Sequence, residues 1–211
     1  MTQALIATEL TLGDLRDRFD LTRIQEQGFF TEWSFDTDPQ FGLTQAEQQA
    51  LDRVQQNYLS QLEAQLMNEE TVKMVVVSPL LDAAGFYRAP FQIDSEVSVE
   101  IPAIDENGAS VTGRIDTLIV RQRLWILVIE SKRTRFSVQS AIPQALAYLL
   151  AKPQLEKPGF ALLTNGGEFL LIKLQKQKTP VYDFSSTFSL LNPGNDLYKI
   201  LSILKKIGQM P

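Results

Sequence analysis

The sequence predicts an α/β fold in which helices flank one mixed β-sheet. Apolar residues recur with helical spacing in four segments along the chain. Between the second and third of these segments, polar and apolar residues alternate with the period of two that is typical of strands. With 211 residues, of which 44% are hydrophobic, the chain has enough apolar material for one sizeable core.

The first predicted unit is an N-terminal arm over residues 1–43, which precedes a main domain over residues 44–211. We expect the arm to be irregular or weakly helical, with a short helix starting at Thr11. Its aromatic side chains are expected to attach it to the core. They are Phe29, Phe30, Trp33 and Phe35.

Two helices are predicted at the start of the main domain. The run from Thr44 to Glu47 matches a capping box, so a long helix should begin there. A second helix is predicted over roughly residues 69–84. Pro79 should kink or break it, because proline lacks a backbone N–H, and Gly85 should end it.

The strands are predicted to begin after this helix. Four successive strands should form an antiparallel meander, with turns at Asp105–Gly108 and Arg121–Arg123. They are expected at Phe91–Asp94, Val97–Ile101, Gly113–Val120 and Leu124–Glu130. The later elements are a helix over roughly 140–151, strands at Phe160–Thr164 and Glu168–Leu174, and a final helix near Asp196–Ile207.

Composition limits the chemistry that the chain could perform. It contains no cysteine and no histidine, which excludes disulfides, thiolate nucleophiles, zinc sites built on these residues, and imidazole bases. An enzyme of this sequence would have to use carboxylates, lysines or hydroxyls. No phosphate-binding ATPase loop is present.

The charge is distributed unevenly. The net charge of −5 at first argues against a nucleic-acid partner. However, residues 1–70 have a net charge of −9 and residues 71–211 a net charge of +4. Between Val111 and Arg135 the net charge is also +4, from six bases and two acids. This basic segment suits a polyanion, although charge runs are often only solvated surface.

The candidate site lies on the pair of strands that end at Val120 and begin at Leu124. On the second strand, the apolar stripe ends in Glu130 and Lys132. If Val120 faces Leu124, Asp116 lies opposite Val128 and diagonal to Glu130. Two carboxylates and one lysine would then converge on one face of a hairpin.

Two neighbouring carboxylates favour a divalent cation, and Mg²⁺ is the usual ion for a small site of oxygen ligands. The ligands would be Asp116, Glu130 and the backbone carbonyl of Ser131. Lys132 would orient the attacking water and stabilise charge on a phosphate. The alternative is that Glu130 and Lys132 form an ordinary exposed ion pair.

The pattern Asp116, thirteen intervening residues, then Glu130-Ser-Lys132 resembles the core of the PD-(D/E)XK nuclease superfamily. The run Gln144-Ala-Leu-Ala-Tyr148 is similar to the Gln-x-x-x-Tyr motif of some branches. Other elements resemble the N-terminal nuclease domain of the type I restriction endonuclease subunit, including the helix that begins at Glu70-Thr. The resemblance covers roughly residues 63–175 and implies a restriction-endonuclease-like core with an N-terminal helical extension.

This resemblance implies a role for each matching residue. Asp116 and Glu130 would bind Mg²⁺ or Mn²⁺, and Lys132 would be the catalytic lysine. Gln144 would act near the metal with Tyr148 as its neighbour, while Glu70 would match the acid that many members have on the first core helix. The family's Pro-Asp is replaced by Ile115-Asp116.

The implied activity is Mg²⁺-dependent hydrolysis of DNA by an endonuclease. The candidate DNA contacts are Arg114, Arg133, Arg135 and Tyr148. A motor or specificity subunit and a second copy of the chain are further expected partners, because the restriction subunit continues into an ATP-driven motor. No apolar stretch is long enough for a membrane span, so the default expectation is a cytoplasmic protein without a membrane partner.

Two other functions remain open from the sequence. The chain could be a catalytically silent module that binds DNA without cutting it. It could also be a protein-interaction subunit whose acidic first third binds a basic partner or covers the basic face.

Overall fold

The computed structural model describes residues 5–26, 28–30, 42–102, 110–121, 124–153 and 156–210. In these residues a nine-stranded mixed sheet lies between two layers of helices, which confirms the predicted α/β fold. The strands are β1 (Leu5–Ile6), β2 (Thr22–Arg23), β3 (Phe91–Pro102), β4 (Ser110–Arg121), β5 (Leu124–Ser131), β6 (Gly159–Thr164), β7 (Glu168–Lys176), β8 (Pro180–Phe184) and β9 (Phe188–Ser189).

The sheet order is β1-β4-β5-β6-β7-β8-β2, with β3 paired to β4 and β9 paired to β7. The pairs β3–β4 and β4–β5 are antiparallel, as predicted. However, the predicted strands Phe91–Asp94 and Val97–Ile101 form the single strand β3, so the meander has three strands and not four. The pair β5–β6 is parallel, because the chain crosses over through a helix between these two strands. The sheet therefore changes from antiparallel to parallel pairing at β5, the strand that ends with Glu130 and Ser131.

The helices are α1 (Leu12–Phe19), α2 (Gln45–Ala64), α3 (Glu69–Val72), α4 (Ser78–Ala83), α5 (Ile142–Leu150) and α6 (Leu197–Gln209). A π-helical turn, Lys73–Val77, joins α3 to α4, so the predicted second helix continues into its proline-containing part. Short 3₁₀ turns at Ala7–Glu9 and Val138–Ala141 precede α1 and α5.

The sheet divides the core in two. Alternate residues of β6 face opposite sides, so Ala161 and Leu163 pack with α1 and α5, whereas Phe160 and Leu162 pack with α2, α4 and α6. All six residues of β6 are buried. The helix α5 is buried from Gln144 to Leu150. The side chains that it directs towards the end of β5 are therefore held in place.

Local sequence signals predicted the helix starts well. Thr44 accepts a hydrogen bond from the Glu47 N–H, and the Glu47 carboxylate accepts one from the Thr44 N–H, which completes the predicted capping box. The same motif is formed by Thr11 and Asp14 at the start of α1.

The described parts of the arm are integrated into the sheet. Strands β1 and β2 lie at its two ends, and α1 packs Leu15 and Phe19 into the core. Phe29 is buried, and its carbonyl accepts a hydrogen bond of 2.7 Å from the buried Lys173 ammonium. The boundary at residue 43 stays a prediction. Trp33, Phe35 and the turn Asp105–Gly108 lie outside the described residues.

Of the helices in the described ranges, none combines the length and the hydropathy that crossing a membrane requires.

Candidate active site

The pairing of β4 with β5 brings the two predicted carboxylates together. Leu118 lies opposite Val128, so Asp116 lies level with Glu130. The predicted register, with Asp116 opposite Val128, was wrong by two residues. The difference arises because Arg121, and not Val120, pairs with Leu124, and because a β-bulge lies at Ile119–Val120. Neither feature is encoded in the alternation of polar and apolar residues.

An open cavity of about 870 Å³ lies over this part of the sheet. Its walls come from β1, the 3₁₀ turn before α1, α3, β3, β4, the end of β5 and α5. The side chains that could perform chemistry there are Glu69, Arg114, Asp116, Glu130, Lys132, Gln144 and Tyr148. Five of the predicted site residues therefore share one cavity with the predicted DNA contact Arg114.

Asp116 is held from two sides. Its Oδ2 accepts a 2.8 Å hydrogen bond from the Ser131 N–H, and its Oδ1 lies 3.8 Å from the Lys73 ammonium. Burial raises the pKa of Asp116 above its ordinary value, although the Ser131 N–H and Lys73 both favour the charged form. The backbone of β5 thus fixes the orientation of a carboxylate on β4.

Glu130 is the most buried acid in the cavity, with only 1% of its surface exposed. Its Oε1 accepts a 2.6 Å hydrogen bond from Lys132, while its Oε2 is buried and has no hydrogen-bond partner. Burial raises the pKa of Glu130 to about 7, and the neighbouring Asp116 adds to the rise. An unpartnered buried oxygen beside a second carboxylate is costly and calls for a cation.

A chain of hydrogen bonds positions Lys132. Its ammonium also donates to Gln144 Oε1 at 3.1 Å, and Gln144 Nε2 donates to the Tyr148 hydroxyl at 2.9 Å. That hydroxyl donates to the Arg114 carbonyl and accepts from the Arg114 N–H. Burial raises the pKa of Tyr148 to about 12, so it remains a hydrogen-bond donor. The amide of Gln144 is therefore oriented with its oxygen towards Lys132.

Close packing below the cavity requires a glycine on β4. A Cβ atom at Gly113 would lie 2.7 Å from Tyr148 Cε1 and 2.8 Å from the Cβ of Ala7. Both neighbours are fully buried, so neither has room to move. The arm residue Ala7 therefore helps to hold the tyrosine that supports Gln144.

The start of α3 contributes a different glutamate from the one predicted. Glu69 lines the cavity, whereas the side chain of Glu70 is 78% exposed and pairs with Lys73 on the outer surface. A metal-binding role for Glu70 stays a prediction, but the geometry favours its neighbour. Sequence periodicity alone could not decide between two adjacent acids at a helix start.

Lys73 lies outside the predicted motif, although it follows Glu69 by four residues. Its ammonium lies 3.3 Å from Glu69, 3.2 Å from Glu70 and 3.7 Å from Glu96. Burial lowers the pKa of Lys73, but Asp116 and the glutamates outweigh burial and raise it overall. Lys73 is thus a permanent positive charge at the edge of the cavity.

The predicted DNA contacts lie in three different environments. Arg114 is 68% exposed and forms an ion pair of 2.6 Å with Glu96. Arg133 and Arg135 are exposed in the loop after β5, and the Arg135 guanidinium lies over the Phe136 ring. Tyr148 is fully buried, a position that suits support of Gln144 better than direct contact with DNA.

The donor set suits a small divalent ion. The described residues contain no group of three or more His, Cys, Asp or Glu side chains that could hold a metal. Mg²⁺ commonly uses one or two carboxylates and completes its coordination with water and substrate phosphates. Asp116, Glu130 and the Ser131 carbonyl fit that description, and the unpartnered Glu130 Oε2 is the structural observation in its favour.

A model of the family described as the type I restriction enzyme R protein N terminus matches residues 18–179. No curated protein matches the sequence. Among solved structures, the fragment structure of a chain described as an HsdR subunit of a type I restriction enzyme from Vibrio vulnificus YJ016 shows 24% identity and a TM-score of 0.40. The match covers 59% of this chain and 24% of the other, so it spans about a quarter of the chain in that structure.

Proposed function

Because this chain belongs to the family of the type I restriction enzyme R protein N terminus, we propose that it is a metal-dependent nuclease domain that hydrolyses phosphodiester bonds in DNA. The observation that supports this most directly is the unpartnered, buried Glu130 Oε2 beside Asp116 and Lys132 in one cavity.

Asp116, Glu130 and the Ser131 carbonyl would hold Mg²⁺ or Mn²⁺, and Glu69 could approach the ion from α3. When bound, the ion would polarise a phosphate oxygen and favour deprotonation of the attacking water. The protein contributes a rigid, half-enclosed site in which charges act more strongly than in water. The cavity is open, as a polymeric substrate requires.

Lys132 would act on the phosphate itself. Its ammonium is held by Glu130 Oε1 and Gln144 Oε1, which leaves one of its three N–H groups for a phosphate oxygen. In that position it would stabilise negative charge that grows in the transition state. Gln144 and Tyr148 would keep the lysine in place, and Arg114 would attract the DNA backbone at the mouth of the cavity.

The proposed partners follow from the family. Type I restriction enzymes are the assemblies named by the matched model, so DNA and other subunits of such an assembly are the expected partners. We propose that a motor or specificity subunit acts together with this chain, and a homodimer is a further proposal.

The test is cleavage of plasmid DNA with Mg²⁺ or Mn²⁺. We expect the wild type to cut, and Asp116→Ala or Lys132→Ala to lower the rate by at least about a hundredfold. Asp94→Ala and Lys176→Ala, which change exposed residues of the same types, should leave the rate unchanged. Cleavage that survives both site substitutions would overturn the proposal.

A second candidate function is DNA binding without cleavage. The exposed Arg133 and Arg135, which lie outside the cavity lining, favour it. This function predicts a metal-independent, salt-sensitive gel shift that Arg133→Ala and Arg135→Ala weaken and Lys132→Ala does not. Metal-dependent cleavage by the wild type would exclude it as the sole function.

A further inference from the structure

The backbone of Glu96 has an unusual conformation for a residue within a strand. Its φ is +57°, in the left-handed region that glycine adopts freely and that other residues adopt at a cost. Glu96 lies in the middle of β3, whose remaining residues pair regularly with β4. Such strain persists only where the surrounding structure imposes it, and it is frequent at functional sites.

The pairing of β3 with β4 shows which residue lies opposite Glu96. Ser95 pairs with Thr117 and Val97 pairs with Ile115, so one residue on each strand lies between these pairs. On β3 that residue is Glu96, and on β4 it is Asp116. The left-handed residue is therefore the cross-strand neighbour of the proposed metal ligand.

Both strands change faces at this level. On β3, Ile93 packs with the α2 side of the sheet and Val97 with the α5 side, although four residues apart should share a face. On β4, Ile115 and Leu118 both pack on the α5 side, although three residues apart should face opposite sides. The two strands reverse their faces at the same level. The register of their pairing is therefore the same before and after the reversal.

The side chain of Glu96 also contacts charges on both sides of Asp116. Its carboxylate lies 2.6 Å from Arg114 Nε and 3.7 Å from the Lys73 ammonium. Because the side chain is 43% exposed, these ion pairs contribute little to stability. The backbone, and not the charge, is thus the feature of Glu96 that the fold depends on.

We propose that Glu96 is a positioning residue, whose left-handed backbone reverses the faces of β3 and β4 and thereby directs the Asp116 carboxylate towards Glu130. An extended residue at this position would restore regular alternation, and Ile115 and Leu118 could no longer occupy the same core. The inference rests on the proposed function only in taking Asp116 as a metal ligand.

The test compares three variants that all remove the charge. Glu96→Gln keeps the backbone preference of the original residue, Glu96→Gly relaxes it, and Glu96→Val opposes it, because β-branched residues avoid positive φ. Asp94→Val is the matched control, an exposed acid on the same strand with an ordinary backbone. Each protein is studied as the full chain.

The first readout needs no metal. The Ser131 N–H donates to Asp116 Oδ2, so its hydrogen exchange reports the position of that carboxylate. We expect exchange at Ser131 to quicken by at least about tenfold in Glu96→Val and to stay within about twofold of the wild type in the other three variants. Equal exchange in Glu96→Val and Glu96→Gln would overturn the inference.

The second readout is calorimetric titration with Mn²⁺ alone. Glu96→Gln and Glu96→Gly should bind with similar Kd, and Glu96→Val should bind at least about tenfold more weakly. If Glu96→Val does not fold, Glu96→Ala replaces it in both measurements, and behaviour equal to Glu96→Gly overturns the inference. If Ser131 responds as expected but even the wild type binds no Mn²⁺, the positioning role stands and the proposed nuclease function fails.

Discussion

Two antiparallel hairpins of the same sheet, β6–β7 and β4–β5, are built in opposite ways. The hairpin β6–β7 pairs without interruption from Gly159 opposite Leu174 to Thr164 opposite Phe169. Its turn uses Gly166 at a φ of +90°, as a tight turn requires. The hairpin β4–β5 contains a β-bulge, has a left-handed neighbour on β3, and buries Glu130 without a full set of partners.

The two hairpins contribute to the free energy of folding with opposite sign. Regular pairing, the complete burial of β6 and the burial of most of β7 make this hairpin a source of hydrophobic stabilisation. The irregular pair holds buried charge that opposes folding and is retained because the surrounding core compensates. Variants of the first hairpin should therefore change stability alone, and variants of the second should change stability and the site together.

The largest effect is expected from Leu171→Ala in the regular hairpin. Leu171 is fully buried and packs on the α2 side of the sheet. The free energy of unfolding should fall by about 3 kcal/mol, because a buried leucine leaves a cavity. Urea denaturation measures this, and the Mn²⁺ affinity of the folded protein should not change. A weakened affinity would show that the two hairpins are coupled.

Gly113→Ala should have the next largest effect, and it should lower both the free energy of unfolding and the cleavage rate. The added Cβ meets Tyr148 and Ala7, so overpacking should lower the free energy of unfolding by about 2 kcal/mol. Displacement of Tyr148 should also lower the cleavage rate. Gly159→Ala on β6 is the control, because its Cβ would meet only the side chains of Leu149 and Lys152, from 3.2 Å, and should leave the rate unchanged.

Tyr148→Phe removes one hydroxyl, which contacts β4 of the irregular hairpin β4–β5. The loss of its hydrogen bonds to Arg114 and Gln144 should cost about 1 kcal/mol of stability. Because the amide of Gln144 is then held only through Lys132, its orientation is less fixed and kcat should fall by about tenfold. Tyr198→Phe, which removes a 2.6 Å hydrogen bond to Asp52 away from the site, should lower stability without changing kcat.

A buried lysine outside the site should change how the stability of the protein varies with pH. Burial and the nearby Lys157 lower the pKa of Lys152 to about 8, and its ammonium donates to two backbone carbonyls. The unfolded chain therefore binds more protons than the native protein between about pH 8 and its ordinary pKa. The stability of the wild type relative to Lys152→Met should rise as pH rises through that window. Denaturation at about pH 7 and about pH 10 measures the trend, and the opposite slope would contradict it.

The parts of the fold that depend on local sequence were predictable. Helix starts follow capping residues such as Thr44. The strands of both hairpins are short apolar runs bounded by turn residues, which the sequence shows directly. The short strands β1, β2 and β9 and the longer β8 were not predicted. They have few residues to form a pattern, and β1 and β2 pair with strands far away in the sequence.

The site was predictable in its residue types and less so in its geometry. Asp116, Glu130, Lys132 and Gln144 share one cavity, as the motif indicated. The choice of Glu69 over Glu70 and the participation of Lys73 depend on how α3 and the turn after it lie against the site. The register depends on a bulge, and the participation of Glu96 depends on a left-handed residue. Neither can be inferred from the pattern, because nothing in the identity of Glu96 signals a positive φ.

The reversal at Glu96 also concerns how the chain behaves beside other copies of itself. Within the described residues, β3 pairs with β4 alone, so its other edge exposes unpaired N–H and C=O groups. A straight edge of twelve residues could add a strand from a second molecule and begin aggregation. The left-handed kink divides that edge, and the exposed Asp94 and Glu100 add like charges to it. The kink that directs the Asp116 carboxylate into the cavity therefore also opposes aggregation through the free edge of β3.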